Sequence, residues 1–111
     1  MDFCIFCAIH EKKIESHFLY ENESAFVIQD KLPRAPVHLL IIPKIHVPSM
    51  SETTQDHEKH LIGMCQLVKE ISREHPDFNL ICNNGKKAGQ SVMHLHWHFL
   101  AKIDLYQALS L

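Results

Sequence analysis

Short apolar runs alternate with polar stretches along most of the 111-residue chain. Two of these runs, His17 to Tyr20 and Ala25 to Asp30, flank the polar stretch 21–24 and predict an antiparallel hairpin. A third strand is predicted from Val37 to Ile42, because β-branched residues are frequent there and Pro43, which lacks an amide donor, closes the run. The first half of the chain is therefore expected to form a sheet.

The middle of the chain has the periodicity of one long helix. From about Thr53 to His75, apolar residues recur at intervals of three and four, and Pro76 provides a stop. The residues on this apolar stripe are Leu61, Met64, Cys65, Val68 and Ile71. Candidate capping residues at its start are Thr53, Thr54 and Asp56. The helix is expected to cover one face of the sheet.

Two more strands are predicted after the helix. Phe78 to Cys82 forms the fourth, and Gln90 to Leu100 forms the fifth after a loop over 83–89. Strands outnumber helices and most connections are too short for parallel crossovers, so we expect an α+β fold with a mainly antiparallel sheet. No repeat or flexible linker divides the chain, and residues 1–111 are expected to form a single domain.

Composition narrows the classes of partner. The net charge is -2 and no run of Lys or Arg is present, which argues against a nucleic acid or an anionic membrane as partner. Residues 1–4 have no basic region before an apolar one, and no apolar stretch reaches the length of a membrane span, so we expect a cytoplasmic protein. The anomaly is the presence of ten histidines, because imidazoles titrate near neutrality and bind metals.

Three histidines alternate with hydrophobic residues near the end of the chain. In a strand, His94, His96 and His98 would emerge on one face, and the hydrophobic residues between them would lie on the other. A solvated polar face would explain an isolated pair, but three in strict alternation favour a functional site. Three successive residues on one face of a straight strand cannot readily converge on one metal ion, so the three imidazoles are expected to have different roles.

A Cys-x-x-Cys pair, Cys4 and Cys7, stands near the start of the sequence. It is compatible with zinc, with a redox dithiol or with two buried thiols; its position outside any βαβ unit disfavours the redox interpretation. Zinc would need two further ligands. Cys65 on the helix stripe and Cys82 in a strand are interpreted as packing residues.

Three ordered motifs resemble those of the histidine triad (HIT) family, and the resemblance covers roughly residues 3–102. The triad motif corresponds to residues 94–100 (HLHWHFL), and the first family signature corresponds to residues 30–46. A second signature corresponds to residues 83–85 followed by 89–92, in the form typical of the Hint branch, the purine nucleoside phosphoramidases. The resemblance implies a HIT-like fold: a five-stranded sheet with one long and one short helix, usually paired as a homodimer.

The resemblance also implies a role for individual residues. His96 would be the nucleophile that forms a nucleotidyl-histidine intermediate, with His98 and Ser91 at the phosphate. The remaining nucleotide-binding residues would be Asp30 near the ribose, Asn83 at the sugar-phosphate end and Gly89 at the phosphate. In zinc-containing relatives a Cys-x-x-Cys pair is completed by two histidines. A structural zinc site would correspond here to Cys4, Cys7, His46 and His94.

The implied activity is hydrolysis of a purine nucleoside phosphoramidate at the α-phosphorus, with release of a nucleoside monophosphate. Dinucleoside polyphosphate hydrolysis and a noncatalytic nucleotide-binding or scaffold module remain alternatives. His98 stands where the transferase relatives have glutamine, which favours release to water. The sequence departs from the family pattern after the triad: residues 101–111 replace a Gly-Gly-Arg segment and a Trp-Pro-Pro-Gly tail, which leaves substrate selectivity open.

Overall fold

A computed structural model describes residues 3–109 as five antiparallel strands with helices on both sheet faces. The strands are β1 (Tyr20–Glu21), β2 (Ala25–Gln29), β3 (Val37–Pro43), β4 (Phe78–Ile81) and β5 (Trp97–Ala101). The α-helices are α1 (Ile5–His10), α2 (Glu58–Ile71) and α3 (Leu105–Leu109). Single 3₁₀ turns lie at Met50–Glu52, Gln55–His57 and Lys86–Ala88. The strand order β1-β2-β3-β5-β4 confirms the predicted α+β class.

The long helix α2 is shorter than its apolar period predicted. At its start, His57 Nδ1 accepts a hydrogen bond of 2.9 Å from the Thr54 amide, and this bond favours a 3₁₀ turn over an α-helical one. At its end, the Ile71 carbonyl accepts from the amides of both Glu74 and His75, which turns the chain away. The apolar periodicity predicts the position of the helix correctly, but it carries no information on the local hydrogen bonds that determine where the helix begins and ends.

Helix α2 approaches the sheet most closely at Gly63. An added Cβ at this position would lie 2.4 Å from Ser24 Cβ, closer than two carbon atoms can pack. The approach also lets Asn22 Nδ2 donate a 2.9 Å hydrogen bond to the Gly63 carbonyl. The glycine therefore fixes the distance between α2 and the turn that joins β1 to β2.

Two apolar cores lie on opposite faces of the sheet. Under α2 the core includes the largest buried side chains of β3 and β5 together with those of the helix: Ile41, Met64, Leu67, Ile71 and Phe99. On the other face α1 packs Phe6 and Ile9 against Phe26, Ile28, Leu40 and Ile42. Because α1 is only six residues long, it covers one part of this face and leaves the rest open. The open part holds the candidate site.

The predicted fifth strand is wrong over its first seven residues, 90–96. β5 begins at Trp97, so His94 and His96 lie in irregular backbone and the three imidazoles do not form one row along a strand. The physical cause is long-range bonding: the Leu95 amide donates to the Val47 carbonyl at 2.7 Å, and not to a neighbouring strand. This irregular segment lets the three rings point in different directions.

Smaller differences concern the strand ends and two cysteines. β1 contains Tyr20–Glu21 and not His17 to Tyr20, and β4 ends at Ile81, one residue before the predicted end. The packing interpretation of Cys65 and Cys82 is wrong, because both side chains are exposed in this chain. Among residues 3–109, no helix has the length and apolar character needed to cross a membrane.

Candidate active site

An open cleft of about 460 Å³ lies on the sheet face that α1 leaves uncovered. Its lining residues come from β3, β4, β5 and two loops: Asp30, Leu32, Arg34, His38, Ile81, Asn83, Gly89, Ser91, His98 and Leu100. Five residues predicted to bind nucleotide are thus together in one cleft, namely Asp30, Asn83, Gly89, Ser91 and His98.

The register of β3 against β5 brings two histidines together at the base of this cleft. His38 lies opposite Leu100 and His98 lies opposite Leu40, so the two histidines are diagonal neighbours on the same sheet face. His38 Nε2 is 2.9 Å from His98 Nδ1. The sequence interpretation did not include His38 among the site residues. The available signal was a lone imidazole at the start of an otherwise apolar strand.

Hydrogen bonds to main-chain groups determine which nitrogen of each ring carries the proton. The Arg34 amide donates to His38 Nδ1 at 3.0 Å, so a neutral His38 holds its proton on Nε2. That proton is donated toward His98 Nδ1, with Asp30 Oδ2 also near, 3.3 Å from His38 Nε2. His98 then carries its own proton on Nε2, as a hydrogen-bond donor.

In His96 the proton is on Nδ1, whereas His38 and His98 carry it on Nε2. His96 Nδ1 is 2.8 Å from the His94 carbonyl, and since a carbonyl only accepts, the proton must be on Nδ1. Nε2 therefore keeps a free lone pair. The His96 ring lies beside that of His98, with centroids 5.2 Å apart, and the edge of Phe6 in α1 packs against it at 5.1 Å. Only 7% of His96 is exposed.

Burial keeps these imidazoles neutral near neutral pH. It is the largest cause of the lowered pKa of His38 and of His96, and the hydrogen bond to the His94 carbonyl partly opposes the shift at His96. Burial, followed by the neighbouring charges of His96 and His38, lowers the pKa of His98 to about 4. A neutral ring is what a histidine nucleophile requires.

The loop at the rim of the cleft is shaped by a glycine and a glutamine. Gly89 has φ +95°, a left-handed conformation that residues with a Cβ rarely adopt. Asn83 Nδ2 donates to the Ala88 carbonyl at 2.9 Å, which holds this turn against the end of β4. The buried Gln90 side chain ties the loop to the main chain at Pro48, Gly85 and Val92. Gly89 and Ser91 are thereby positioned at the cleft.

A second cluster joins the N-terminal segment to the loop after β3 and to the segment that precedes β5. Its members are Cys4, Cys7, His46 and His94, whose candidate ligand atoms all lie within 4.8 Å of one another. His94 Nδ1 is 3.3 Å from Cys4 Sγ, 3.6 Å from Cys7 Sγ and 3.1 Å from His46 Nδ1. Tetrahedral zinc with ~2.0–2.3 Å bonds would hold such ligands roughly 3.3–3.8 Å apart.

The donor chemistry of this cluster fits a metal ion. His94 Nε2 donates to the Pro43 carbonyl at 2.9 Å, which leaves the Nδ1 lone pair facing the two sulfurs. The Cys7 amide donates to Cys4 Sγ, a bond that favours a thiolate. Burial and the neighbouring Cys4 raise the pKa of the Cys7 thiol to about 11 in the metal-free cluster, so a bound cation would have to displace its proton.

Asp30, His38 and His98 also bring three potential ligand atoms together, but their hydrogen bonds argue against a metal. A metal bound to His38 Nε2 would require the ring proton on Nδ1, where the Arg34 amide already donates. The three residues are better described as a hydrogen-bonded chain that orients His98.

Comparisons with known proteins identify the family of the chain. The HIT domain family model matches residues 11–105. Protein HitA of Neisseria gonorrhoeae is 39% identical over 103 residues, covering 90% of this chain and 96% of that protein. The purine nucleoside phosphoramidase of Escherichia coli is 32% identical, covering 86% of this chain and 84% of that protein. A HIT family hydrolase from Clostridium thermocellum superposes with a TM-score of 0.87 at 35% identity, over 95% of each chain. With its triad histidines at residues 94, 96 and 98 and this fold, the chain belongs to the HIT domain family.

Proposed function

We propose that this protein is a nucleotide-binding hydrolase that cleaves purine nucleoside phosphoramidates at the α-phosphorus and releases a nucleoside monophosphate. The observation that carries the proposal is the bond from His96 Nδ1 to the His94 carbonyl, which leaves Nε2 unprotonated in a ring whose centroid is 5.2 Å from that of His98, a residue that lines the cleft. The similarity to the Escherichia coli purine nucleoside phosphoramidase supports the choice of substrate.

The proposed reaction has two steps. His96 Nε2 attacks the α-phosphorus, the P–N bond of the substrate breaks, and the departing nitrogen takes up a proton from solvent and leaves as an amine. Water then attacks the phosphorus, the bond to His96 breaks, and the proton that the water loses to solvent balances the one taken up by the amine. His98 Nε2–H is proposed to donate to a phosphate oxygen and stabilise the charge that develops there.

Four further cleft residues are proposed to hold the nucleotide. The Gly89 and Ser91 amides would bind the phosphate, because a residue without Cβ lets the backbone approach phosphate oxygens closely. Asn83 would act at the sugar-phosphate end and Asp30 at the ribose. Asp30 Oδ1 also accepts from the Leu32 amide at 2.8 Å, which keeps its carboxylate in place.

We also propose that the Cys4, Cys7, His46 and His94 cluster binds a structural zinc ion. The cluster offers four protein ligands, which leaves no open coordination position for substrate. Zinc would stabilise the attachment of α1, and with it the Phe6 ring that packs on His96.

A homodimer is the assembly we propose. β4 is an edge strand, and exposed apolar side chains lie on it and on the outer side of α2: Leu80 is 43% and Ile62 is 58% exposed. The exposed Cys65 and Cys82 lie on α2 and just after β4. Pairing of this surface with a second copy would cover all four side chains.

The test is to trap the covalent intermediate. The protein is incubated with an adenosine phosphoramidate and quenched, and peptide mass spectrometry is used to locate an adenylyl group. We expect it on His96 in the unaltered protein and in His17→Ala, a control at an exposed histidine. His96→Ala should lose hydrolysis while AMP binding, measured by calorimetry, is largely retained, because ground-state binding is spread over many contacts.

Turnover separates the alternatives. Equal hydrolysis by His96→Ala and the unaltered protein would end the covalent proposal. Faster hydrolysis of a dinucleoside polyphosphate than of the phosphoramidate would favour the polyphosphate reaction. Tight AMP binding without turnover of either substrate would favour a noncatalytic nucleotide-binding module.

A further inference from the structure

The cleft contains one carboxylate and one guanidinium, and they differ in how they are bonded. The Asp30 carboxylate interacts with the Leu32 amide and with His38. The exposed side chain of Arg34 also lines the cleft, and it makes no ion pair with any other residue in the range 3–109. A positive charge is thus left available at the substrate-facing surface.

The main chain of Arg34 is anchored to His38 and, through it, to His98. Its amide donates to His38 Nδ1 at 3.0 Å, and His38 in turn contacts His98 at 2.9 Å. Arg34, His38 and His98 all line the same cleft. The Arg34 side chain therefore belongs to the surface that also carries His98.

We propose that Arg34 binds a second negatively charged group of the substrate, carried by the leaving group. This inference rests on the proposed function and names the kind of substrate it prefers. A purine base and a ribose carry no charge, so a negative charge beyond the α-phosphate belongs to the group attached at phosphorus. The guanidinium fork matches a carboxylate or a phosphate, each of which it binds with two parallel hydrogen bonds. The preferred leaving groups are thus anionic amines such as amino acids, or phosphates.

Binding of a leaving-group carboxylate by Arg34 is tested with a matched pair of substrates, the alanine phosphoramidate of AMP and its methyl ester. Arg34→Gln should lower kcat/KM about tenfold for the free carboxylate, as expected for loss of a charged hydrogen bond, and less than about twofold for the ester. Arg34→Lys should recover part of the loss. The control is Arg73→Gln, which makes the same change at the chain's other arginine, an exposed residue just after α2.

Binding of a second phosphate by Arg34 is tested by calorimetry with AMP and ADP, which requires no turnover. Arg34→Gln should weaken ADP binding about tenfold and AMP binding less than about twofold. A selective loss with either probe supports the inference and identifies the anion. The inference would be overturned if Arg34→Gln affected the two members of each pair equally, the acid and its ester as well as ADP and AMP, or affected none of them. If phosphoramidates are not hydrolysed but nucleotides bind, the proposed function fails and the ADP comparison still decides the role of Arg34. Binding of neither nucleotide would overturn both.

Discussion

At the scale of single residues, the chemistry depends on which ring nitrogen carries the proton. His94 and His96 are two residues apart and hold their protons on opposite nitrogens, Nε2 and Nδ1, because each donates to a main-chain carbonyl. The unprotonated nitrogen of the buried His94 is Nδ1, which faces the thiols, whereas the unprotonated nitrogen of His96 is Nε2. Main-chain acceptors thus leave a different nitrogen free in each of the two rings.

His38 is predicted to orient His98. His38→Leu should lower kcat about 10- to 100-fold, because leucine has no donor to keep the His98 proton on Nε2. The Kd for AMP should change little. Steady-state kinetics and calorimetry check this, with His17→Leu as the control. A Kd that rises in proportion to the loss of kcat would indicate a binding role for His38.

The buried imidazoles should also make stability depend on pH. The pKa of His98 falls from 6.5 to about 4 on folding, so between these pH values the unfolded chain binds a proton at His98 that the folded chain does not bind. The contribution of His98 to the free energy of unfolding should be constant above about pH 6.5 and fall as pH decreases toward about 4.

Urea unfolding at several pH values gives the slope of the free energy of unfolding against pH. His98→Gln removes one titrating group and should show a shallower slope between pH 6.5 and 4.5, whereas the exposed His17→Gln should retain the slope of the unaltered protein. An unchanged slope in His98→Gln would contradict the neutral, buried state of this ring.

At the scale of elements, two short contacts determine how the helices sit on the sheet. α1 is attached through Cys4 and Cys7 to the residues that precede β5 and follow β3, and α2 is attached at Gly63. Each contact involves residues distant in sequence, so its loss should affect stability more than local helix formation.

The Cys4→Ser, Cys7→Ser double variant is expected to lower Tm more than it lowers the rate of the chemical step. A closed zinc site stabilises the fold and has no position for substrate. Elemental analysis, thermal unfolding and single-turnover rates are measured on the same samples. Cys65→Ser is the control for loss of a thiol outside the cluster, and light scattering verifies that each variant keeps the proposed dimer. Metal-replete protein that contains no zinc would remove the basis for this prediction.

Gly63→Ala should destabilise the protein by about 1–3 kcal/mol, although alanine usually favours a helix over glycine. The cause is the 2.4 Å approach of the new Cβ to Ser24 Cβ. Adding Ser24→Gly should recover part of the loss, because it removes the atom that clashes. Gln66→Ala, at an exposed position of the same helix, should be close to neutral. A Gly63→Ala variant at least as stable as the parent would show that α2 can move away freely.

At the scale of the whole molecule, a single chain leaves part of its apolar surface exposed to solvent. The edge strand β4 and the outer side of α2 expose Leu80 and Ile62, which is unfavourable for a lone chain. The proposed dimer covers these side chains.

Light scattering at micromolar concentration should give twice the 12.9 kDa chain mass. Replacing both Ile62 and Leu80 with Glu should shift the mass to that of one chain, because each glutamate would be desolvated in the interface. Circular dichroism verifies that the variant is folded. A mass near 12.9 kDa for the unaltered protein would refute the dimer.

Sequence patterns were sufficient where a structure depends on neighbouring residues. Apolar runs located β2, β3 and β4, and the three-and-four spacing located α2. The cysteine pair and the alternating histidines, together with the family resemblance, predicted both clusters of side chains. The strands and the helix are visible in the sequence because local patterning determines them, whereas the membership of the two clusters was implied by the family resemblance.

Tertiary structure decided what depends on distant partners. The Val47 carbonyl binds the Leu95 amide, which delays β5 until Trp97 and separates the three imidazoles. The β3–β5 register adds His38 to the site, and Pro43 determines the tautomer of His94. A periodic pattern within one segment carries no information about hydrogen bonds to main-chain groups forty or more residues away. Such bonds place Leu95 against Val47 and determine which nitrogen of His94 faces the thiols, and the irregular backbone that results lets His96 Nδ1 reach the His94 carbonyl.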